Sequence, residues 1–493
     1  MFRKLIYTVH RILGTLLSIL FLMWFLSGIV MIYHRFPSAS RDEKMGKLEA
    51  LPDSLPSIAE ILNRSQGKDS VKNLSLYTYL GQTYVEARTK QKTEKFLVDS
   101  LDKLPEINGD YIHRVAALWC DAPVSHIDTL NRLEQWIPFG RLKKDFPIYK
   151  FYFKDTDQTQ LYVSSVTGEV LQCTILSERF WGWLGPIPHW VYFTWLRQDV
   201  DLWSDVIVWI SIFGIIMLFA GFCLSIHTYR MSIKNGKGLT SPYKKKWYRW
   251  HHIFGTAFGI FLLTWIVSGM YSLADIPEWL GKTHKEYPAR SVLSRGTLPL
   301  SEYRLDYRKL IAEYAGEVTQ ISWDSFFDYP FYQVLLKDKG PIYIDASSTQ
   351  TISFNLSEQQ IREAISSIHP NESIIVIELA EYDHYYIDTK GNLPLPVWKV
   401  SIGNSDHTCY YINPHNGTYR SMNTHSRWQF QLYQGFHSLR YKIFVGHPVI
   451  WTIVMWTLLL GGAFVSLTGI VLGFKYLVRS IKRIKNKKDN IES

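Results

Sequence analysis

The chain of 493 residues is 47% hydrophobic and 20% charged, with a formal net charge of +10. Its mean hydropathy of −0.07 is that of a soluble protein, yet four long stretches hold no charged side chain, which excludes a purely soluble chain. The basic excess flanks those stretches, so it reads as a topological signal and asks for no nucleic acid partner.

In chain order the apolar runs cover residues 12–33, 206–225, 253–274 and 448–474. Each reaches the ~20 residues that cross ~30 Å of hydrocarbon at 1.5 Å per residue, so four transmembrane helices in a lipid bilayer are predicted. The first run could pass for a secretion signal ending at Ser38-Ala39-Ser40, but its length and its likeness to the stretch opening at His251 argue that it is kept. The loop after the second run holds Arg230, Lys234, Lys237, Lys244, Lys245, Lys246 and Arg249 with no acid, and the tail is rich in lysine and arginine from Lys475 onward. Together with Arg3 and Lys4 these place both termini in the cytoplasm and the long segments, roughly 35–200 and 275–445, on the opposite side.

The expected organisation is therefore an α-helical integral membrane protein with two α+β extracytoplasmic domains. Helix 1–34 leads to a first outer domain, 35–185, followed by an interfacial helix and second membrane helix, 186–228, and a basic loop, 229–250. A third membrane helix, 251–274, leads to a second outer domain, 275–432, then an interfacial helix and fourth membrane helix, 433–475, and a basic tail, 476–493. In the first outer domain, helical spacing at 57–66 precedes alternating, β-rich stretches at 74–79, 82–88, 149–153 and 160–163. The second shows helices at 301–314 and 357–368 and strands at 331–336, 342–344, 397–402 and 408–412. Glycine-bearing turns recur at 164–168, 388–391 and 413–417, where glycine supplies φ > 0 cheaply. Of four cysteines, Cys223 lies in a membrane helix and Cys409 in the second outer domain, while Cys120 and Cys173 share the first, where an oxidising compartment would permit a disulfide.

An internal repeat organises the histidines. The stretch from His10 through Gly14 to Trp24, Ser27 and Gly28 matches, without a gap, the stretch from His251 through Gly255 to Trp265, Ser268 and Gly269. His189, Trp203, Gly214 and Gly221 likewise match His437, Trp451, Gly462 and Gly469 at identical separations. Four histidines at matched places in a bilayer suggest two haems b, each taking two axial imidazoles, and haem across a bilayer suggests electron transfer. His10 with His251 on the cytoplasmic side and His189 with His437 on the outer side are the expected ligands. Gly14 and Gly255, one turn from their histidines, leave a gap where a flat porphyrin could rest. Without a Cys-x-x-Cys-His motif, covalent attachment is excluded, and neither a His-Glu-x-x-His motif nor a cysteine cluster offers another metal site.

Alternatives remain at several positions. His252 could replace His251, since adjacent helical positions point about 100° apart. His34 and His227 also end membrane helices, although their repeat mates are Asp275 and Lys475. Arg11, Arg249, Arg197 and Arg440 lie close to the proposed ligands and could pair with haem propionates, while the positive-inside rule accounts for the inner two equally well. Trp24 and Trp265 read first as helix packing.

The His-x-x-x-Gly openings, the pairs Ser27-Gly28, Ser268-Gly269 and Thr468-Gly469, His189 and His437, and the helix–strand–strand modules give the chain a family resemblance. It resembles the PepSY-associated transmembrane proteins, a group that includes bacterial iron-regulated inner-membrane proteins and ferric-siderophore reductases. Ala220-Gly221 departs from the Ser/Thr-Gly form. The resemblance implies PepSY-like periplasmic domains, residence in the bacterial inner membrane, and haem-dependent reduction of a ferric siderophore in iron acquisition. Electrons would come from a cytoplasmic or membrane donor, a flavin, a quinol or a separate reductase, because Gly236-Lys237-Gly238 is too short to be a nucleotide loop. Two other classes compete. A transporter of siderophore, haem or metal would want polar groups within its helices, which these lack; a PepSY-domain regulator of a peptidase leaves the repeated histidines unexplained.

Overall fold

The computed structural model describes residues 2–492 except 65–70, 90–91, 99–103, 295–296 and 389–391. The end of the helix expected at 57–66 and most of the turn expected at 388–391 lie outside the described residues. Four helices are long and apolar enough to cross a membrane, which makes this a membrane protein. They are α1 (Phe2–Met31) and, in the order met below, α4, α5 and α7. Each outlasts its apolar run at the basic end, so His10 and His251 ride on continuous helix.

From α1 the chain enters β1 (Asn73–Tyr79), β2 (Gln82–Arg88) and β3 (Thr93–Leu97), then α2 (Gly109–Trp119) and β4 (Val124–Leu130), β5 (Ile148–Phe153), β6 (Gln160–Ser164) and β7 (Val170–Thr174). It returns through a short helix, α3 (Pro186–Trp190), into α4 (Val200–Lys234). After α5 (Lys246–Met270) come β8 (Val318–Phe326), β9 (Tyr329–Leu336) and β10 (Pro341–Asp345), then α6 (Glu358–Ile368) and β11 (Ile374–Leu379), β12 (Val397–Ile402), β13 (Cys409–Ile412) and β14 (Tyr419–Met422). A π-helical segment, Phe430–His437, then leads to α7 (Pro448–Glu492).

The helices pack with α1 against α4 and α7, and α5 against the same two. Phe21, Phe25, Met217, Leu262, Trp265, Leu459 and Val465 form the shared core, while Leu16, Trp209 and Phe219 stay exposed on the outside, where hydrocarbon rather than water would meet them.

The two long connections between membrane helices do not form two self-contained sheets. One six-stranded sheet runs β10-β9-β8-β1-β2-β3, so a division between 35–185 and 275–432 cuts through its middle. β1 and β8 meet antiparallel with Ser75 opposite Ser322, their hydroxyls 3.0 Å apart. Leu74, Leu76, Ile321, Trp323 and Val334 bury one face beneath Tyr307, Leu310 and Ile311, the last three from the helix Tyr307–Glu313. Each segment then adds a four-stranded antiparallel sheet of its own, β4-β5-β6-β7 and β11-β12-β13-β14. α2, capped by the Asn108 side chain, buries Tyr111, Ile112, Val115 and Ala116; α6, opened by a Ser357/Gln360 capping box, buries Ile361, Ala364, Ile365 and Ile368. Gly168 and Gly417, at φ +68° and +63°, make the turns before β7 and β14 as their sequence predicts.

Cys120 and Cys173 are both free thiols packed on the same apolar cluster, so no disulfide joins them, and burial pushes the Cys173 thiol up to about 12. Polar triads pin the loops above the two smaller sheets. Lys150 Nζ lies 2.7 Å from Glu134, which also accepts the Tyr162 hydroxyl; Lys399 Nζ lies 2.7 Å from Asp383, which accepts the Tyr411 hydroxyl at 2.8 Å. Lys150→Met is expected to destabilise the sheet region by roughly 2 kcal/mol, less than the ~3–5 kcal/mol of breaking a fully buried pair, because Glu134 keeps 29% exposure. A lowered thermal unfolding midpoint in detergent checks this.

Candidate functional site

Two histidine pairs occupy opposite ends of the helix core. The rings of His10 and His251 stand 6.1 Å apart, centre to centre, and those of His189 and His437 stand 6.3 Å apart. Along α1, His10 and the Trp24 carbonyl that meets His189 are separated by fourteen residues, about 21 Å of helix.

The pair nearer the sheets, called here the outer pair and the other the inner pair, is carried by the short segments before α4 and α7. Pro186 opens α3, as suits a residue without an N–H, and His189 lies in its last turn. His437 ends the π-helical segment. In both, the residue two places on is left-handed, Val191 at φ +53° and Leu439 at φ +49°, a conformation that strains any side chain with a Cβ. An indole secures each bend. Trp203 Nε1 donates to the Trp190 carbonyl at 2.8 Å, and Trp451 Nε1 to the Ser438 carbonyl at 3.0 Å. The constant spacing from histidine to tryptophan thus has a physical cause: the indole binds the carbonyl just beyond the histidine.

Further out, Asp406 ties the chain after α5 to the helix that feeds the His437 segment. Its carboxylate accepts from the His284 and Lys285 backbone N–H groups, His284 Nδ1 and the Thr424 hydroxyl. Burial alone would raise its pKa; these donors outweigh it and hold the group at about 2. Because the folded value lies below the unfolded one, the stabilisation is complete above about pH 4 and is lost as pH falls through about 2, amounting to roughly 2 kcal/mol. Asp406→Asn is expected to flatten the acid limb of the stability profile between pH 4 and 2, as read by thermal unfolding at stepped pH.

The inner pair lines a cavity of about 320 Å³, within the usual range of ligand pockets. Gly14, Gly255, Gly259 and Gly473 form parts of its wall, and Arg11, Tyr243, Tyr476, Arg479 and Arg483 line its basic end. A Cβ on Gly221 would lie 2.6 Å from His10 Cε1, so only glycine admits that ring.

Hydrogen bonds determine which nitrogen each ring presents. His10 Nδ1 faces the Met217 carbonyl at 2.9 Å, an acceptor only, so Nδ1 carries the proton. His189 Nδ1 meets the Trp24 carbonyl and the Ser27 hydroxyl, each at 3.2 Å, and His437 Nδ1 meets the Trp265 carbonyl at 3.3 Å and the Ser268 hydroxyl at 3.2 Å. His251 Nδ1 lies 2.9 Å from Thr468 Oγ1, whose own proton goes to the Val465 carbonyl, so the hydroxyl accepts from the ring. All four rings are therefore Nδ1–H tautomers with the Nε2 lone pair available. A metal–imidazole bond of about 2 Å, plus about 1 Å from nitrogen to ring centre on each side, separates two axial rings by about 6 Å. Both pairs match that spacing. Among the described residues no group of three or more His, Cys, Asp or Glu is placed to hold a metal ion; two imidazoles suit an iron that brings its other four ligands with it.

The remaining sequence candidates lie elsewhere. His252 lines the cavity but turns Nδ1 to Ser241 at 3.0 Å and stacks on Tyr229, leaving His251 to face His10. His34 stacks on Trp181 at 4.4 Å, and His227 is exposed on α4. Arg11 lines the cavity and lies over Tyr476; Arg249 is exposed. Arg197 lies over Trp203, Tyr192 and Phe139, and Arg440 follows the left-handed Leu439, its backbone N–H donating to Gln434. Arg479 and Arg483 were not expected at the cavity. Their signal was present, because Gly469, Tyr476, Arg479 and Arg483 follow one another at spacings of seven, three and four residues and share one face of α7.

These features define a class: a four-helix membrane protein with two facing histidine pairs and sheets built from its long connections. No family model matches the chain, and no curated protein matches it.

Proposed function

We propose that the chain is a di-haem b oxidoreductase of the bacterial inner membrane that carries electrons to ferric iron, held by a siderophore-type chelate, and releases Fe(II) in the periplasm. The observation that carries this reading is the pair of facing histidine couples, each at one-iron spacing, at opposite ends of the helix core. Haem b bound there supplies reversible Fe(III)/Fe(II) chemistry without opening a ligand position. His10 with His251 and His189 with His437 would bind through Nε2, while Ser27, Ser268, Thr468 and the Met217 carbonyl orient the rings. Arg11, Arg479 and Arg483 give the inner cavity a basic end suited to propionates.

Duplication of a unit made of two helices and its connecting sheets underlies this arrangement. Its support extends beyond the membrane, since Glu134, Lys150 and Tyr162 each precede their counterparts Asp383, Lys399 and Tyr411 by 249 positions. The basic loop and tail favour a cytoplasmic position for the inner pair, and the sheets would then lie in the periplasm as PepSY-like domains. The chemistry is simple: siderophores hold Fe(III) through hard oxygen ligands, and one electron yields Fe(II), which they hold less tightly. A flavin, quinol or separate reductase on the cytoplasmic side gives up that electron.

The test is reduction across a sealed bilayer. Haem-loaded protein in vesicles, given a reductant at its basic face and a ferric hydroxamate at the other, is expected to deliver Fe(II) to a chromogenic chelator on the hydroxamate side. Equal rates with His10→Ala protein, or no Fe(II) from fully loaded wild type, would overturn the reading.

A further inference from the structure

The four histidine seats differ, and from that difference we infer that the inner pair stabilises ferric iron more strongly than the outer pair, so that the inner site has the lower midpoint potential. This rests on the haem reading above. His10, His189 and His437 direct Nδ1 at the carbonyl four residues before a glycine: Met217 before Gly221, Trp24 before Gly28, and Trp265 before Gly269. The residue just before the glycine is serine in the two outer seats and alanine, Ala220, beside His10.

That one residue changes how the carbonyl is used. Ser27 and Ser268 already donate to the Trp24 and Trp265 carbonyls, each at 3.1 Å. The outer imidazole protons are consequently shared between two acceptors at 3.2–3.3 Å, and one of those acceptors is partly occupied. At the inner pair the bonds are shorter, 2.9 Å at each ring. His10 gives its proton to the Met217 carbonyl at 2.9 Å, which no serine hydroxyl shares. His251 donates to Thr468 Oγ1 at 2.9 Å, whose hydroxyl donates on to the Val465 carbonyl at 2.7 Å; the arrangement is that of the outer seats with shorter bonds, and shorter bonds in such a chain strengthen one another.

A stronger acceptor at Nδ1 draws the proton outward and makes Nε2 the better electron donor, and better axial donation favours Fe(III) over Fe(II). With haem held by both pairs, an electron would run downhill from the His10/His251 site to the His189/His437 site, away from the basic face. No proton moves, because each Nδ1–H is retained.

The experiment is a potentiometric titration of purified, haem-loaded protein followed in the visible spectrum, with haem counted per chain. Two components are expected. Ala220→Ser, which adds a hydroxyl to compete for the Met217 carbonyl, is expected to raise the lower midpoint and leave the upper one in place. The double variant Ser27→Ala/Ser268→Ala is expected to lower the upper midpoint. If both haems are bound and Ala220→Ser moves the upper component, or neither variant moves its component, the inference fails while the haem reading stands. Protein that binds no haem would remove both.

Discussion

His437→Ala protein is expected to purify with one haem instead of two, and His10→Ala protein with the other one. On the haem reading each variant would remove one of the two imidazoles proposed to hold an iron, leaving His189 or His251 alone, and a single imidazole would leave the iron with an open position. The two losses are independent because the pairs lie about 21 Å apart along α1 and share no residue. Pyridine haemochrome counts on detergent-purified protein distinguish this from a general folding failure, which would lower both haems and the yield together.

Gly221→Ala is the second large effect. A methyl group there would sit 2.6 Å from His10 Cε1 and 2.8 Å from its Nδ1. The ring cannot simply swing aside, because Nδ1 is held by Met217 one turn earlier on the same helix. Displacing it changes its 6.1 Å spacing from the His251 ring, so a haem at the inner pair is expected to be lost or to turn high-spin. Alanine is the better helix former by about 1 kcal/mol, so α4 itself gains and the defect stays local. Gly269→Ala makes the comparison, since its Cβ would stop 3.4 Å from His437 Cε1 and the outer haem is expected to remain.

The membrane helices were legible because an uncharged run of twenty residues has few other solutions. The strand Asn73–Tyr79 was legible because every second side chain is buried, while Gln82–Arg88 and Val397–Ile402, whose burial does not alternate strictly, were legible from their β-branched and aromatic residues. β4 was not: its residues are mostly exposed or half-buried, so its polar sequence carries little period-two signal. The pairing of β1 with β8 was also hidden, since no local pattern says that an edge in the first connection meets an edge in the second, some 240 residues later.

At the site, repetition made the four histidines conspicuous, and their facing geometry follows from the packing of α1 with α5's neighbours and of the two outer segments on the core. The choice between His251 and His252 could not be read from spacing; Ser241 and Tyr229 draw His252 away. The Ser/Thr-Gly pairs carried a meaning that only contacts reveal, the glycine admitting a ring and the hydroxyl orienting it. Ala220 looked like a lapse in that pattern, yet it lies beside Gly221, the tightest of the four approaches to a histidine.

The most direct test of the account is the visible spectrum of the detergent-purified protein, oxidised and then dithionite-reduced, with haem quantified per chain. Two low-spin b-type haems per chain are predicted. A colourless protein from haem-replete cells would contradict the account and leave the facing histidines without the role assigned to them.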